Sequence, residues 1–263
     1  MLKYIFEDFD TALRRKSAYV YFIGIFVICI TANIAVIAFR SIYGSNEGTN
    51  AYNVMEYAAW SFIVAYLSCI LIANTVFGSE YPVPKDAPCI KQGTTGRIQV
   101  YLSKLLSSVM LASVYLVVTF VVLVATTALF HVRDERTLDL YAIRVFCEKM
   151  FLALPLFLAG ISFAVMFLFI FKEKWKAFVG FYIVTFGIPR LIILLAGDSF
   201  NIPFFKTLRT YTISQSFTLI PYPSSPDRNV PLIIALGLIF TAISIAVGII
   251  IYSRKDLKEV QDG

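Results

Sequence analysis

Six stretches of this chain stay apolar for about twenty residues, roughly 18–39, 57–77, 105–130, 150–171, 177–197 and 230–252, and polar residues collect between them. Hydrocarbon about 30 Å thick takes roughly 20 helical residues to cross, so each run is long enough for one span. Lipid offers no partner to a backbone N–H or C=O, which leaves helices or a closed barrel. A barrel strand would alternate polar and apolar side chains over about ten residues. "FIGIFVICI" and "VYLVVTFVVLV" do not alternate. The pattern predicts an all-α integral membrane protein with six transmembrane helices, built as a single transmembrane domain over residues 1–263.

The flanking pattern adds elements that do not cross. Residues 2–13 put Leu2, Ile5, Phe6, Phe9 and Leu13 on one helical face and Lys3, Glu7, Asp10 and Arg14 on the other. That spacing, closed by Arg14-Arg15-Lys16, predicts an interfacial helix within residues 1–16 lying flat before the first span. Residues 198–229 carry Phe200, Phe204, Phe205, Tyr211, Phe217 and Tyr222 among four prolines. So many aromatics predict a segment that dips into the outer interface as short broken helices. Residues 136–149 are expected as a further surface helix leading into span four.

Composition agrees with a membrane protein. Only 15% of the 263 residues are charged and 59% are hydrophobic, against about 25% charged in a soluble domain; the mean hydropathy is +0.77. The net charge of +6 does not point to nucleic acid, because no long Lys/Arg tract exists and the cations sit at the ends of apolar runs. Fourteen of the 23 Lys and Arg residues fall on the N-terminal side of the membrane, eight on the other, and Arg190 lies within span five. The bias predicts that both termini are cytoplasmic. The first residues, with Glu7, Asp8 and Asp10 and no small-residue cleavage site, do not read as a signal peptide. Four cysteines (Cys29, Cys69, Cys89, Cys147) show no CxxC or Cys/His spacing, so neither a disulfide framework nor a metal site is expected.

Spans two and three are joined by "EYPVPKDAPCIKQGTTGRIQVYLSK", residues 80–104, with three prolines, two acidic and four basic side chains. Asp86-Ala87-Pro88 reads as a helix start, with Asp86 as N-cap and Pro88 in the first turn. A short helix then runs through Cys89, Ile90, Lys91 and Gln92 and stops at Gly93. From Arg97 the pattern turns amphipathic and merges into span three. A helix this short is poorly stable alone in water, which favours one docked on a partner over a solvated loop.

The order of elements, with "FGSEY" at the end of span two and Gly96-Arg97 before Tyr101-Leu102-Ser103-Lys104, resembles the permease subunits of type-2 ABC transporters of the exporter class, in the branch related to peptide and bacteriocin export. "YPVPKDAP" departs from the Asp-Gly-Thr turn more usual there. The resemblance implies that the short helix is a coupling helix, docking on an ABC ATPase subunit through Asp86, Pro88, Cys89, Ile90 and Lys91. Glu80 and Arg97 would brace the turn as a charge-assisted pair or stand as two solvated charges. The resemblance further implies a second permease copy or close relative, an amphipathic peptide as cargo, ATP and Mg on the partner subunit with no cofactor in this chain, and a bacterial cell membrane as location.

No catalytic chemistry is legible in the chain itself. There is no GxxxxGK[ST], HExxH or GxSxG, and the one histidine, His131, falls at the outer end of span three, as an interfacial or loop residue would. Within the spans, Arg190 follows Pro189 and either lines a polar pathway or pairs with Asp198 or lipid phosphate near the outer face. Gly237, Thr241, Ser244 and Gly248 form a small-residue stripe suited to close helix contact within the subunit or across a dimer seam. Asn33 and Asn74 are expected to bond to neighbouring helices. The alternative to a motor-driven permease is a secondary transporter or channel, but such proteins carry intramembrane acids and internal repeats, and neither is found here.

Overall fold

A computed structural model describes residues 2–43, 51–78, 94–131, 139–197, 200, 202–223, 225–226 and 228–254. Among them there are only helices and connecting turns. Helix α1 (Leu2–Leu13) leads into α2 (Lys16–Tyr43); α3 (Ala51–Trp60), α4 (Phe62–Leu67) and α5 (Cys69–Phe77) follow, then the long α6 (Thr94–Phe130) and α7 (Leu140–Ile170). Next come α8 (Lys174–Tyr182), a π-helical turn (Ile183–Gly187) and α9 (Ile188–Ala196), the short α10 (Pro203–Thr210) and α11 (Ile213–Leu219), and α12 (Val230–Arg254). Five helical stretches are long and apolar enough to cross a membrane, and the bent pair Ala51–Leu67 and Cys69–Phe77 has the length and composition to count as a sixth if it is one span. The chain is an all-α, multi-pass membrane protein.

Helix α7 is the hub. Two-thirds of its most apolar window is buried, far more than in the four other unbroken candidate spans. Small residues let neighbours close on it. At Gly160 a Cβ would stand 2.7 Å from the Tyr66 ring of α4. The stripe on α12 performs the reciprocal function: a Cβ on Gly237 would stand 2.6 Å from Pro155 of α7, and one on Gly248 would stand 2.3 Å from the Tyr101 hydroxyl of α6. The stripe is therefore consumed by contacts inside the subunit. Two aromatic clusters fill the bundle. One joins Phe77, Tyr101, Phe169 and Phe181; the other joins Phe62, Tyr66, Phe146 and Phe217.

Helix α7 starts at its Asp139 N-cap, whose carboxylate accepts from Ala142 N at 2.7 Å. It then continues without interruption, so residues 140–149 are the first turns of span four rather than a separate surface helix. Their apolar side is captured by the bundle: Ala142 and Phe146 are buried, and Lys149, 5% exposed at its side chain, reaches Glu56 of α3 at 4.0 Å. The predicted breaks between spans five and six do occur, as α10 and α11.

Spans two and five are irregular for identifiable reasons. Ser61 and Ser68 interrupt span two; each hydroxyl donates to the carbonyl three residues back, Ala58 and Ala65, at 2.7 Å. Such back-bonding competes with the helical ladder, and the two halves, Ala51–Leu67 and Cys69–Phe77, are bent by 42°. In span five, Pro189 supplies no N–H to the turn before it. The backbone there widens into the π turn of residues 183–187.

Candidate functional site: the helix ends around residues 79–93

Of the positions singled out for docking, Asp86, Pro88, Cys89, Ile90 and Lys91 lie outside the described residues, as does Glu80. What is described is the pair of helix ends between which they hang, the end of α5 and the start of α6, together with their surroundings. A helix end leaves its last carbonyls without intrahelical donors. Here cations drawn from distant parts of the chain supply donors.

Arg15, in the turn between α1 and α2, donates through Nη1 to the carbonyls of Thr75 and Val76, the latter at 3.1 Å. Lys174, the first residue of α8, donates to the Gly78 carbonyl at 2.6 Å. Arg97, on the first turns of α6, donates to the Ser253 carbonyl at the end of α12 at 3.2 Å. Each places a positive charge at the negative end of a helix dipole. Gly78 is what allows Arg15 in. Its φ is +49°, and a Cβ there would stand 1.8 Å from Arg15 Nη1, so the position needs both the freedom and the absent side chain of glycine.

Helix α1 is fastened beside these ends. Ile5 and Ala12 are buried against α5 and α6, and Ser107 Oγ donates to the Ile5 carbonyl at 3.0 Å. Between them Asp8 accepts from Lys104 Nζ at 2.8 Å and from Ser103 Oγ at 3.1 Å. The side chains of Lys104 and Asp8 are 6% and 19% exposed. This face differs from the expected one. Phe6 is 58% exposed, because the face turned to α6 is set by Ile5, Asp8 and Ala12. Nearby, in the turn between α7 and α8, the Lys176 ammonium at 2.6 Å and the Trp175 indole N–H hold the Glu173 carboxyl below its ordinary range.

The predicted residues thus meet different fates. Arg97 belongs to the collar of cations, bonded to α12. Arg190 is far from it: the side chain is exposed on α9, and the guanidinium lies 5.2 Å from the Phe186 ring centroid, one turn back along the helix. Asn33 bonds across to α6, its Nδ2 donating to Thr126 Oγ1 at 3.3 Å as well as to its own Cys29 carbonyl at 2.8 Å, and among the described residues the Oδ1 atoms of both Asn33 and Asn74 are buried with no hydrogen bond. His131 is buried at the last turn of α6. Three cysteines are free thiols, and among the described residues no cluster of His, Cys, Asp and Glu could hold a metal ion.

Arg15, Asp8, Ser103, Lys104, Lys174 and Gly78 were given no contact or role in this site by sequence, although Gly78, Ser103 and Lys104 lie in the stretches that carry the resemblance. Two left a trace there: Asp8 shares a helical face with Ile5 and Ala12, and Lys104 sits beside Leu105 and three residues after Tyr101, both on a buried stripe. In comparisons with protein families and with curated proteins, no family model and no curated relative matched the chain.

Proposed function

We propose that the chain is the transmembrane permease subunit of an ATP-driven ABC exporter. In this reading residues 86–92 form the coupling helix, which an ABC ATPase subunit grips. ATP and Mg bind to that partner. Two copies, or this chain and a close relative, enclose a pathway of twelve spans in a bacterial cell membrane, with both termini on the cytoplasmic side. The cargo is hydrophobic or amphipathic, a peptide in the first instance.

The observation that carries the reading is the collar. The segment between spans two and three is anchored where it leaves α5, by Arg15 and Lys174, and near where it re-enters, Arg97 ties α6 to α12. A displacement imposed on residues 79–93 therefore reaches α1, α8 and α12 as well as the two spans it joins. That is the property required of a segment through which an external motor switches a bundle between two states. Arg190, exposed on a span, is the candidate pathway residue, since a cation held at that depth is expensive unless it meets water or an anionic group.

Replacing Cys89, Ile90 and Lys91 together with acidic residues tests the reading. The ATPase should no longer co-purify, while thermal unfolding of the spans stays as in the parent. Retention of both the complex and transport would refute it.

A further inference from the structure

At the rim opposite the collar, charged side chains from three parts of the chain stand together without a hydrogen bond among them. Lys149 of α7 is buried, its side chain 5% exposed, and Glu56 of α3 is the carboxylate it faces, at 4.0 Å. That separation allows attraction but is too long for a hydrogen bond. Arg228, just ahead of α12, is near enough for its charge to act on Lys149. The Arg228 Nε is buried with no hydrogen-bond partner, and among the described residues its guanidinium pairs with no carboxylate. Lys149, Glu56, Tyr52 and Phe146 line a hollow of about 10 Å³, room for about one water-sized atom.

Charge and surroundings select the occupant. Two cations against one carboxylate leave a single positive charge in a place where water is scarce. Holding it there without acceptors is costly. The group that relieves this cost brings one negative charge and several acceptor oxygens; a water in the hollow would bring acceptors but no charge. On the same rim Tyr57, Trp60, Tyr141 and Tyr222 are exposed. Tyr52 stacks on Tyr141 with centroids 6.4 Å apart, and Trp60 meets Tyr222 edge-on at 4.8 Å. A girdle of such rings marks the level at which headgroups meet hydrocarbon, and lipid phosphates are concentrated there. We infer that Lys149 and Arg228 bind the phosphate of an anionic phospholipid headgroup, one oxygen entering the hollow beside Lys149. Glu56, at the edge of the hollow, opposes the anion and keeps the empty site from carrying two uncompensated charges. A zwitterionic headgroup fits less well, because its ammonium adds to a net positive charge. The site lies apart from the collar and needs no ATPase, so it stands or falls independently of the permease reading.

The delipidated full chain in detergent is titrated with phosphatidylglycerol and, separately, with phosphatidylcholine of the same acyl chains, and bound lipid is counted by native mass spectrometry. Phosphatidylglycerol should bind about tenfold more tightly. Arg228→Gln and Lys149→Met should each weaken its binding about tenfold, the size of one charge-assisted hydrogen bond, and erase the preference. Thermal unfolding of each variant without lipid reports the fold, and Arg228→Gln, at a half-buried position, gives the reading should Lys149→Met unfold. Glu56→Gln should strengthen phosphatidylglycerol binding about threefold, since a like charge is removed, and leave phosphatidylcholine unchanged. A purely structural ion pair would instead lower stability in Glu56→Gln with the lipid preference untouched, and that result would overturn the inference. Equal binding of the two lipids by the parent would overturn it as well. Displacement of bound phosphatidylglycerol by an equal concentration of inorganic phosphate would overturn the assignment to lipid.

Discussion

Removing the carboxylate of Asp8 should weaken the attachment of α1 to the bundle without undocking it. In Asp8→Ala, Lys104, whose side chain is 6% exposed in the parent, loses its ion pair with Asp8. Breaking a fully buried ion pair costs about 3–5 kcal/mol, chiefly because a charge is left without a counterion. Asp8 is 19% exposed and lies near the end of the bundle, so water recovers part of that, and about 2 kcal/mol is expected. Ile5, Ala12 and the Ser107 hydrogen bond still hold the helix. The docked state should persist, with the undocked fraction raised about thirtyfold. A cysteine at position 12, fully buried in the parent, reports that fraction through its rate of modification by a water-soluble maleimide, read at that peptide by mass spectrometry. Asp8→Leu combined with Lys104→Met should bring the rate back to within about tenfold of the parent, because an apolar pair of similar volume replaces a buried ion pair at little cost. If Asp8→Ala changes the rate by less than about twofold, less than 0.5 kcal/mol, the pair does not hold α1 and the reasoning is wrong.

Glycine substitutions should separate three environments. Gly78→Ala forces a side chain into a left-handed backbone and against Arg15, and should lower stability by roughly 2 kcal/mol or more, read as thermal unfolding in detergent. Gly237→Ala wedges α12 from Pro155 backbone and should cost about 1–3 kcal/mol in the same assay, whereas Gly24→Ala, in open space, should be neutral or stabilising by up to about 1 kcal/mol; an equal loss at all three would refute the packing described. Glu173 provides a pH test. Its folded carboxyl titrates below the ordinary value of 4.5, so its contacts with Lys176 and Trp175 contribute fully above that pH and are lost as pH falls through the lower folded value. In a Trp60→Phe background, Trp175 fluorescence should change with a midpoint below 4.5, and Glu173→Gln should abolish the change; a midpoint at or above 4.5 would contradict the geometry.

The spans were legible because hydrocarbon imposes a length and forbids open backbone, and that constraint acts on each run separately. The small stripe Gly237–Gly248 was legible as a packing surface for the same local reason, though only the fold shows that Pro155 and Tyr101 take it up. What stayed hidden depends on pairing between distant residues. Arg15 meets Thr75 and Val76 sixty positions away, and Asp8 meets Lys104 ninety-six positions away; nothing in either neighbourhood names the partner. On α1, Lys3, Glu7, Asp10 and Arg14 were therefore set opposite the apolar face and Asp8 was assigned to neither side, whereas in the fold Asp8 reaches Lys104 and Ser103. Residues 136–149 were read as a surface helix leading into span four. In the fold Arg144 and Glu148 do face outward, paired with each other at 3.0 Å, while Lys149 turns in to Glu56.

Helix α6 has 37 residues, no proline and no break, which makes it about 55 Å long at 1.5 Å per residue, well beyond the roughly 30 Å of hydrocarbon. Span two, its neighbour across residues 79–93, is bent by 42° between Ala51–Leu67 and Cys69–Phe77. A twist applied at Thr94 is carried by a stiff shaft to Phe130 at the opposite rim, while the same effort applied at Phe77 is absorbed at an elbow before it gets there. The two sides of one connecting segment thus differ in compliance, and motion begun at that segment should arrive at the far surface mainly along span three.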